Sequence, residues 1–185
     1  MEQDRIKWNR KYAGDPRPRQ PAGIVKKYYS LAPVGQALDI AAGLGGNSLF
    51  LADRGFRVDA VDISDTAVNA LKGTHPGVTA ICEDLDTFAL PENHYGLILN
   101  IRFLSRRLFP YIKAALTPGG VFIAETYLEG GPGDAAHMSC RDYLLRPNEL
   151  LHAFLSLTVV FYEERDSDGG SGPGRIAGLV GVRPC

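Results

Sequence analysis

The chain has 185 residues, 45% of them hydrophobic and 22% charged, which suffices for one hydrophobic core and is far from the composition of a disordered chain. Its 20 Lys and Arg stand against 21 Asp and Glu, and the net charge of -1 argues against a nucleic-acid backbone as partner. Cys82, Cys140 and Cys185 form no C-x-x-C pair, no secretory pattern opens the chain and no run approaches the ~20 apolar residues of a membrane span, so a reducing, cytoplasmic setting is expected.

Residues 1–20 are polar and close on Asp15-Pro16-Arg17-Pro18, whose prolines disfavour helix continuation; a mobile N-terminal arm is expected ahead of one domain over 21–185. A helical stretch follows from Ile24 to Leu31, stopped by Ala32-Pro33-Val34-Gly35. Ala37-Leu38-Asp39-Ile40 reads as the first strand, leading into the glycine turn Ala42-Gly43-Leu44-Gly45-Gly46 and a helix from Ser48 to Asp53. The unit repeats as a strand from Phe56 to Val61 and a helix from Ser64 to Leu71, with Ser64 as N-cap. Val78 to Cys82 and Tyr95 to Ile101 are the third and fourth strands. Tyr111 to Leu116 is helical, and Thr117-Pro118-Gly119-Gly120 turns the chain into a fifth strand from Val121 to Thr126.

Residues 129–143 read as a Gly-rich loop and a helix lies near Pro147 to Phe154. Leu157 to Glu163 and Ile176 to Val182 flank a polar connection too short for a crossover helix, so that pair is expected to be antiparallel. The predicted fold is a doubly wound, mostly parallel, seven-stranded α/β sheet of Rossmann-like form with an antiparallel C-terminal hairpin.

In such a sheet a ligand sits outside the carboxyl ends of the strands, where Asp39, Gly43, Gly45, Asp62, Asp84 and Asn100 fall. Glycines let the first turn meet a ligand with bare backbone, and Asp62 is placed to accept hydrogen bonds from two ribose hydroxyls. Ser48 stands where the dinucleotide pattern G-x-G-x-x-G needs its third glycine. Asp39 adds negative charge where a pyrophosphate would sit but where an ammonium and a sulfonium would gain from it.

Leu38 to Gly46, Val61-Asp62, Glu83-Asp84 and Leu116 to Val121 together resemble the class I S-adenosylmethionine-dependent methyltransferases. Gly45 to Ala52, with Trp8 and Tyr12 in the arm, look like the small tellurite-resistance and thiopurine or thiol branch. The resemblance implies S-adenosylmethionine as cofactor and S-adenosylhomocysteine as product. It places the methionine moiety on the backbone from Ala41 to Gly45, the ribose on Asp62, and the adenine edge on Asp84 and the amide of Leu85. Asp39, Asn47, Ile63 and Asn100 complete the expected cofactor set.

Trp8 and Tyr12, four apart on one face of a helical arm, either pack on the domain or cover the cofactor, where cation–π attraction contributes roughly 0.5–2 kcal/mol. Arg102 and Tyr127 are expected to contact the acceptor, with Glu125 and Asn100 as further candidates, whereas Arg106 and Arg107 read as solvated charges. His137, Cys140 and Asp142 match no metal-ligand spacing, so no metal is expected. No single residue stands out as a general base. The implied reaction is methyl transfer to a small acceptor, such as a thiol or a chalcogen oxyanion, by a monomer or homodimer. A non-enzymatic S-adenosylmethionine-binding module and a nicotinamide-dependent oxidoreductase remain open as alternatives.

Overall fold

The computed structural model describes residues 2–18, 20–130, 143–166 and 174–185. Helix α1 (Glu2–Gly14) and helix α2 (Gly23–Tyr28), extended by a 3-10 turn over Tyr29–Leu31, precede strand β1 (Gln36–Ile40). Helix α3 (Gly46–Ala52), β2 (Arg57–Asp62), α4 (Asp65–Leu71), β3 (Val78–Cys82), β4 (Tyr95–Ile101) and α5 (Phe109–Ala115) follow. The described chain continues through β5 (Leu116–Tyr127), α6 (Glu149–Ala153), β6 (Thr158–Asp166) and β7 (Arg175–Val182).

The seven strands form one sheet in the order β3-β2-β1-β4-β5-β7-β6. Neighbours from β3 to β5 are parallel, and β7 runs antiparallel to both β5 and β6. This is the architecture expected from the alternation of strands and helices. The chain builds outward from β1 to β3, then crosses back to lay β4 on the other side of β1. That reversal puts the crevice of a doubly wound fold at the carboxyl ends of β1 and β4.

Residues alternate across the sheet with period two, which divides the core into two layers. Leu38, Ile40, Ile98, Phe122 and Leu179 pack with Ile112 of α5 and Leu150 of α6. Ala37, Leu97, Leu99, Val121 and Ile123 pack on the opposite face with Val25 of α2 and Leu51 of α3. Both faces are therefore covered, which is why β1 and β4 read as near-continuous apolar runs. Strand β5 starts earlier than its sequence suggests: Thr117 to Gly120 lie within it as an irregularity, with Gly119 at φ 75° and a register shift between Tyr95 and Leu97 on β4. Pro110 sits in the first turn of α5, where its missing N–H costs no helical hydrogen bond.

Candidate functional site

The site grows from the turn after β1. Ala41 holds φ 55°, in the left-handed region that costs an L-residue roughly 1–2 kcal/mol. Ala42 then donates its N–H to the Val61 carbonyl at 3.0 Å, and Gly43 donates to Oδ2 of Asp62 at 2.8 Å, so the turn leans toward β2. Gly43 and Gly45 also have positive φ, at 56° and 78°. A Cβ on Gly43 would lie 2.7 Å from Tyr12 Oη, and one on Gly45 would overlap Leu71 on α4. The space that the two missing side chains leave is taken by Tyr12 at Gly43 and by Leu71 at Gly45.

Two buried carboxylates stand beside this turn. Asp39, 1% exposed, accepts a hydrogen bond from Ser48 Oγ at 2.6 Å. Burial pushes its carboxyl up to about 7, with the Ser48 hydrogen bond opposing and the Asp62 charge adding to the shift. Ser48 thus replaces the third glycine of a dinucleotide turn with a donor to a buried acid. Asp62, at the end of β2, accepts from Gly43 N–H on one oxygen and from Ser64 N–H on the other, each at 2.8 Å. Burial raises its pKa, and these backbone donors oppose that rise.

Helix α1 lies over the same side. Ser64 Oγ accepts from Ala67 N–H, as an N-cap should, and donates to Oδ1 of Asn9 at 2.6 Å. The Asn9 amide also donates to Asp65. Trp8 and Tyr12 stack with ring centroids 5.7 Å apart, and Lys11 Nζ lies 4.3 Å from the Trp8 centroid. Asn9 escaped the sequence reading because one more polar residue in a polar arm carries no signal of its own.

The other predicted residues divide. Asn47 turns from the crevice to accept from Ala22 N–H at 2.9 Å, which fixes the start of α2. Asp84 caps its own turn by accepting from Asp86 N–H, and Leu85 is buried beside it. Ile63 offers its carbonyl to Cys82 Sγ at 3.8 Å. On β4, Asn100 is 3% exposed and its Oδ1 has no hydrogen-bond partner among the described residues. Arg102 is exposed, at φ 58°, and its N–H donates to the Glu125 carbonyl at 2.6 Å. Tyr127 is half-buried at the carboxyl end of β5.

Arg106 and Arg107 are not merely solvated. Arg106 forks onto Glu149 at 2.5 and 2.9 Å and holds that carboxyl below its ordinary range, while Arg107 donates to the Leu85 carbonyl at 2.8 Å. The open depression between α5 and α6, lined in part by the Arg106–Glu149 pair, contains none of the residues predicted for the cofactor or acceptor. His137, Cys140 and Asp142 lie outside the described residues. Among the described residues no helix is long and apolar enough to cross a membrane.

Residues 37–120 match a family model described as a methyltransferase domain. No curated protein matches the chain. Among solved structures, TehB from Haemophilus influenzae aligns with a TM-score of 0.73 at 18% identity, over 94% of this chain. The chain spans 65% of the length of that TehB chain. An S-adenosylmethionine-dependent methyltransferase from Mesorhizobium loti aligns with a TM-score of 0.69 at 17% identity, over 88% of this chain and 98% of its own. The [4+2]-cyclase SpnF shares the fold as well, with a TM-score of 0.69 at 15% identity over 86% of this chain and 78% of its own. Residues 37–120, just under half of the chain, thus match a methyltransferase-domain model, and the chain shares the fold of solved S-adenosylmethionine-dependent methyltransferases.

Proposed function

We propose that this chain transfers the methyl group of S-adenosylmethionine to a small-molecule acceptor. The observation that carries the reading is the buried Asp62 carboxylate, held by Gly43 and Ser64 at the crevice beside a left-handed glycine turn. Each of its oxygens takes one backbone N–H and keeps a lone pair, which suits the two hydroxyls of a ribose. When bound, the cofactor supplies an electrophilic methyl: the acceptor's lone pair forms the new bond to carbon, the carbon–sulfur pair stays on sulfur, and a neutral thioether leaves.

The chain's own residues position and shield. The backbone from Ala41 to Gly45 holds the methionine end, Asp39 places a titratable carboxyl beneath it, and Asp84 with the Leu85 amide meets the adenine edge alongside Ile63. Tyr12 over Gly43, with Trp8 stacked on it, closes this half of the crevice against water and favours a sulfonium by roughly 0.5–2 kcal/mol. Asn47 acts at one remove, by fixing α2. Holding donor and acceptor at ~3 to 3.5 Å removes several kcal/mol of barrier without a base. A soft nucleophile suits such a site, because Glu125 is buried and paired with Arg165 at 3.7 Å.

Resemblance at Gly45 to Ala52, Trp8 and Tyr12 favours the tellurite-resistance and thiol branch, and hence thiols or chalcogen oxyanions as acceptors. Calorimetric titration with S-adenosylmethionine and S-adenosylhomocysteine, followed by an acceptor screen for methylated product, tests the reading. Failure of both ligands to bind would overturn it. Binding without transfer to any acceptor would favour a non-enzymatic module, and tight binding of a nicotinamide dinucleotide instead would favour an oxidoreductase.

A further inference from the structure

The glycine turn leans toward β2 through Ala42 and Gly43, and α1 lies on that side through Asn9 and Tyr12. The carboxyl ends of β4 and β5 lie on the other side of β1. Two features there are out of balance. Oδ1 of Asn100 is shielded from solvent and receives no hydrogen bond among the described residues, a deficit that costs roughly 1–3 kcal/mol. A ligand that displaces the atoms covering Oδ1 and brings its own donor removes that deficit.

The second feature is Arg102, whose exposed guanidinium has no hydrogen bond or ion pair among the described residues. Its neighbours are engaged: Arg106 with Glu149, Arg107 with Asp86 and the Leu85 carbonyl, and Arg165 with Glu163 and Glu125. Its backbone is nonetheless pinned at φ 58° by the N–H that donates to Glu125. The backbone of Arg102 is thus committed to the end of β5 while its side chain is left to solvent, an arrangement that suits a ligand contact.

We propose that Asn100 and Arg102 form the acceptor subsite, and that the acceptor is a small anion bearing a protic nucleophile. A carboxylate or other oxyanion group pairs with the planar donor fork of Arg102, and an N–H, O–H or S–H of the acceptor donates to Asn100 Oδ1. Once the nucleophile's lone pair has taken the methyl, its proton leaves to water. The assignment rests on the methyltransferase reading above and adds the charge class of the acceptor to it.

The test is a turnover assay on the full chain with matched acceptor pairs: mercaptoacetate against 2-mercaptoethanol, glycine against ethanolamine, and 4-hydroxybenzoate against 4-hydroxybenzyl alcohol. The anionic member is expected to be methylated at least about tenfold faster in one pair, and Arg102→Gln to raise its KM about tenfold while the Kd for S-adenosylhomocysteine moves less than about twofold. Arg102→Lys, which keeps the charge without the fork, is expected to fall between. Asn100→Ala is expected to lower kcat for the same acceptor. Equal or better turnover of the neutral members, or of none of the pairs by a protein that binds S-adenosylhomocysteine, overturns the assignment. So does an Arg102→Gln effect confined to S-adenosylhomocysteine affinity, which would place the guanidinium on that ligand's own carboxylate. A wild-type chain that binds no S-adenosylhomocysteine refutes the methyltransferase reading instead.

Discussion

The backbone N–H of Gly43 donates to Oδ2 of Asp62 at 2.8 Å, joining the turn after β1 to the end of β2 through a buried carboxylate. Asp62 is therefore a structural clamp as well as a proposed ribose ligand. Replacing it by Ala strands two buried N–H donors, those of Gly43 and Ser64, at roughly 1–3 kcal/mol each. Asp62→Ala is expected to lower Tm by about 5 to 15 °C and to weaken S-adenosylhomocysteine binding at least about tenfold. Thermal melts and calorimetry on one preparation check both. Unchanged Tm with lost affinity would confine the carboxylate to the ligand.

Gly45 makes a second prediction, because its Cβ position is filled by Leu71. Gly45→Ala combines that overlap with a left-handed φ of 78°, and a loss of about 2–4 kcal/mol in denaturant unfolding is expected. Shortening the neighbour by Leu71→Ala in the same chain should recover part of the loss, with a coupling of about 1 kcal/mol or more. Strict additivity of the two substitutions would mean that the two side chains do not compete for space.

The strands and their order of appearance were legible because β1, β2, β4 and β5 are apolar runs of strand length between strong turn signals, and Asp62 and Gly43 because they fall at strand ends. Long-range partnerships were not. Nothing local distinguishes Asn9, which meets Ser64 from 55 residues away, from the other polar residues of its helix. The same applies to Arg106, whose role depends on Glu149 43 residues on, and to Asn47, which reads as a turn residue until its contact with Ala22 is seen. Ala41 and Arg102 carry positive φ without being glycine, so their backbone conformations leave no trace in residue type.

Asp39 links the site to pH. Its folded carboxyl sits at about 7 against an ordinary 3.8, so the folded state holds a proton that the unfolded chain releases. Stability from this group is full below about pH 4, falls as pH rises toward about 7 and is level above that. Asp39→Asn, which retains an acceptor for Ser48, is expected to gain Tm relative to wild type across that window and to keep the gain at about pH 8. Asp62 shifts in the same direction and Glu149 in the opposite one, so the difference between the two proteins is the quantity to follow. Parallel curves from about pH 4 to 8 would show that Asp39 ionises as an exposed acid does.

Helix α1 is the last point at which structure and activity separate. It contains no buried residue, and the side-chain contacts that tie it to the domain include those of Asn9 with Ser64, Asp65 and the Thr66 N–H and that of Tyr12 over Gly43. Ordering a helix costs ~1 to 2 kcal/mol per residue, which a helix without a buried residue offsets only in part, so the helix should open far below the global unfolding energy. A ligand seated along the turn beside Tyr12, whose Oη occupies the space over Gly43, adds contacts and shifts that balance toward the closed arm. Amide exchange in residues 4–14 is expected to slow when S-adenosylhomocysteine is added, and Asn9→Ala to restore fast exchange while Tm falls by less than about 4 °C. Deleting residues 1–14 should then reduce turnover far more than it reduces Tm, because the lost element shields the reacting centre and supports little of the core. Equally fast exchange with saturating ligand, together with full turnover of the shortened chain, would reduce α1 to a surface helix with no part in the reaction.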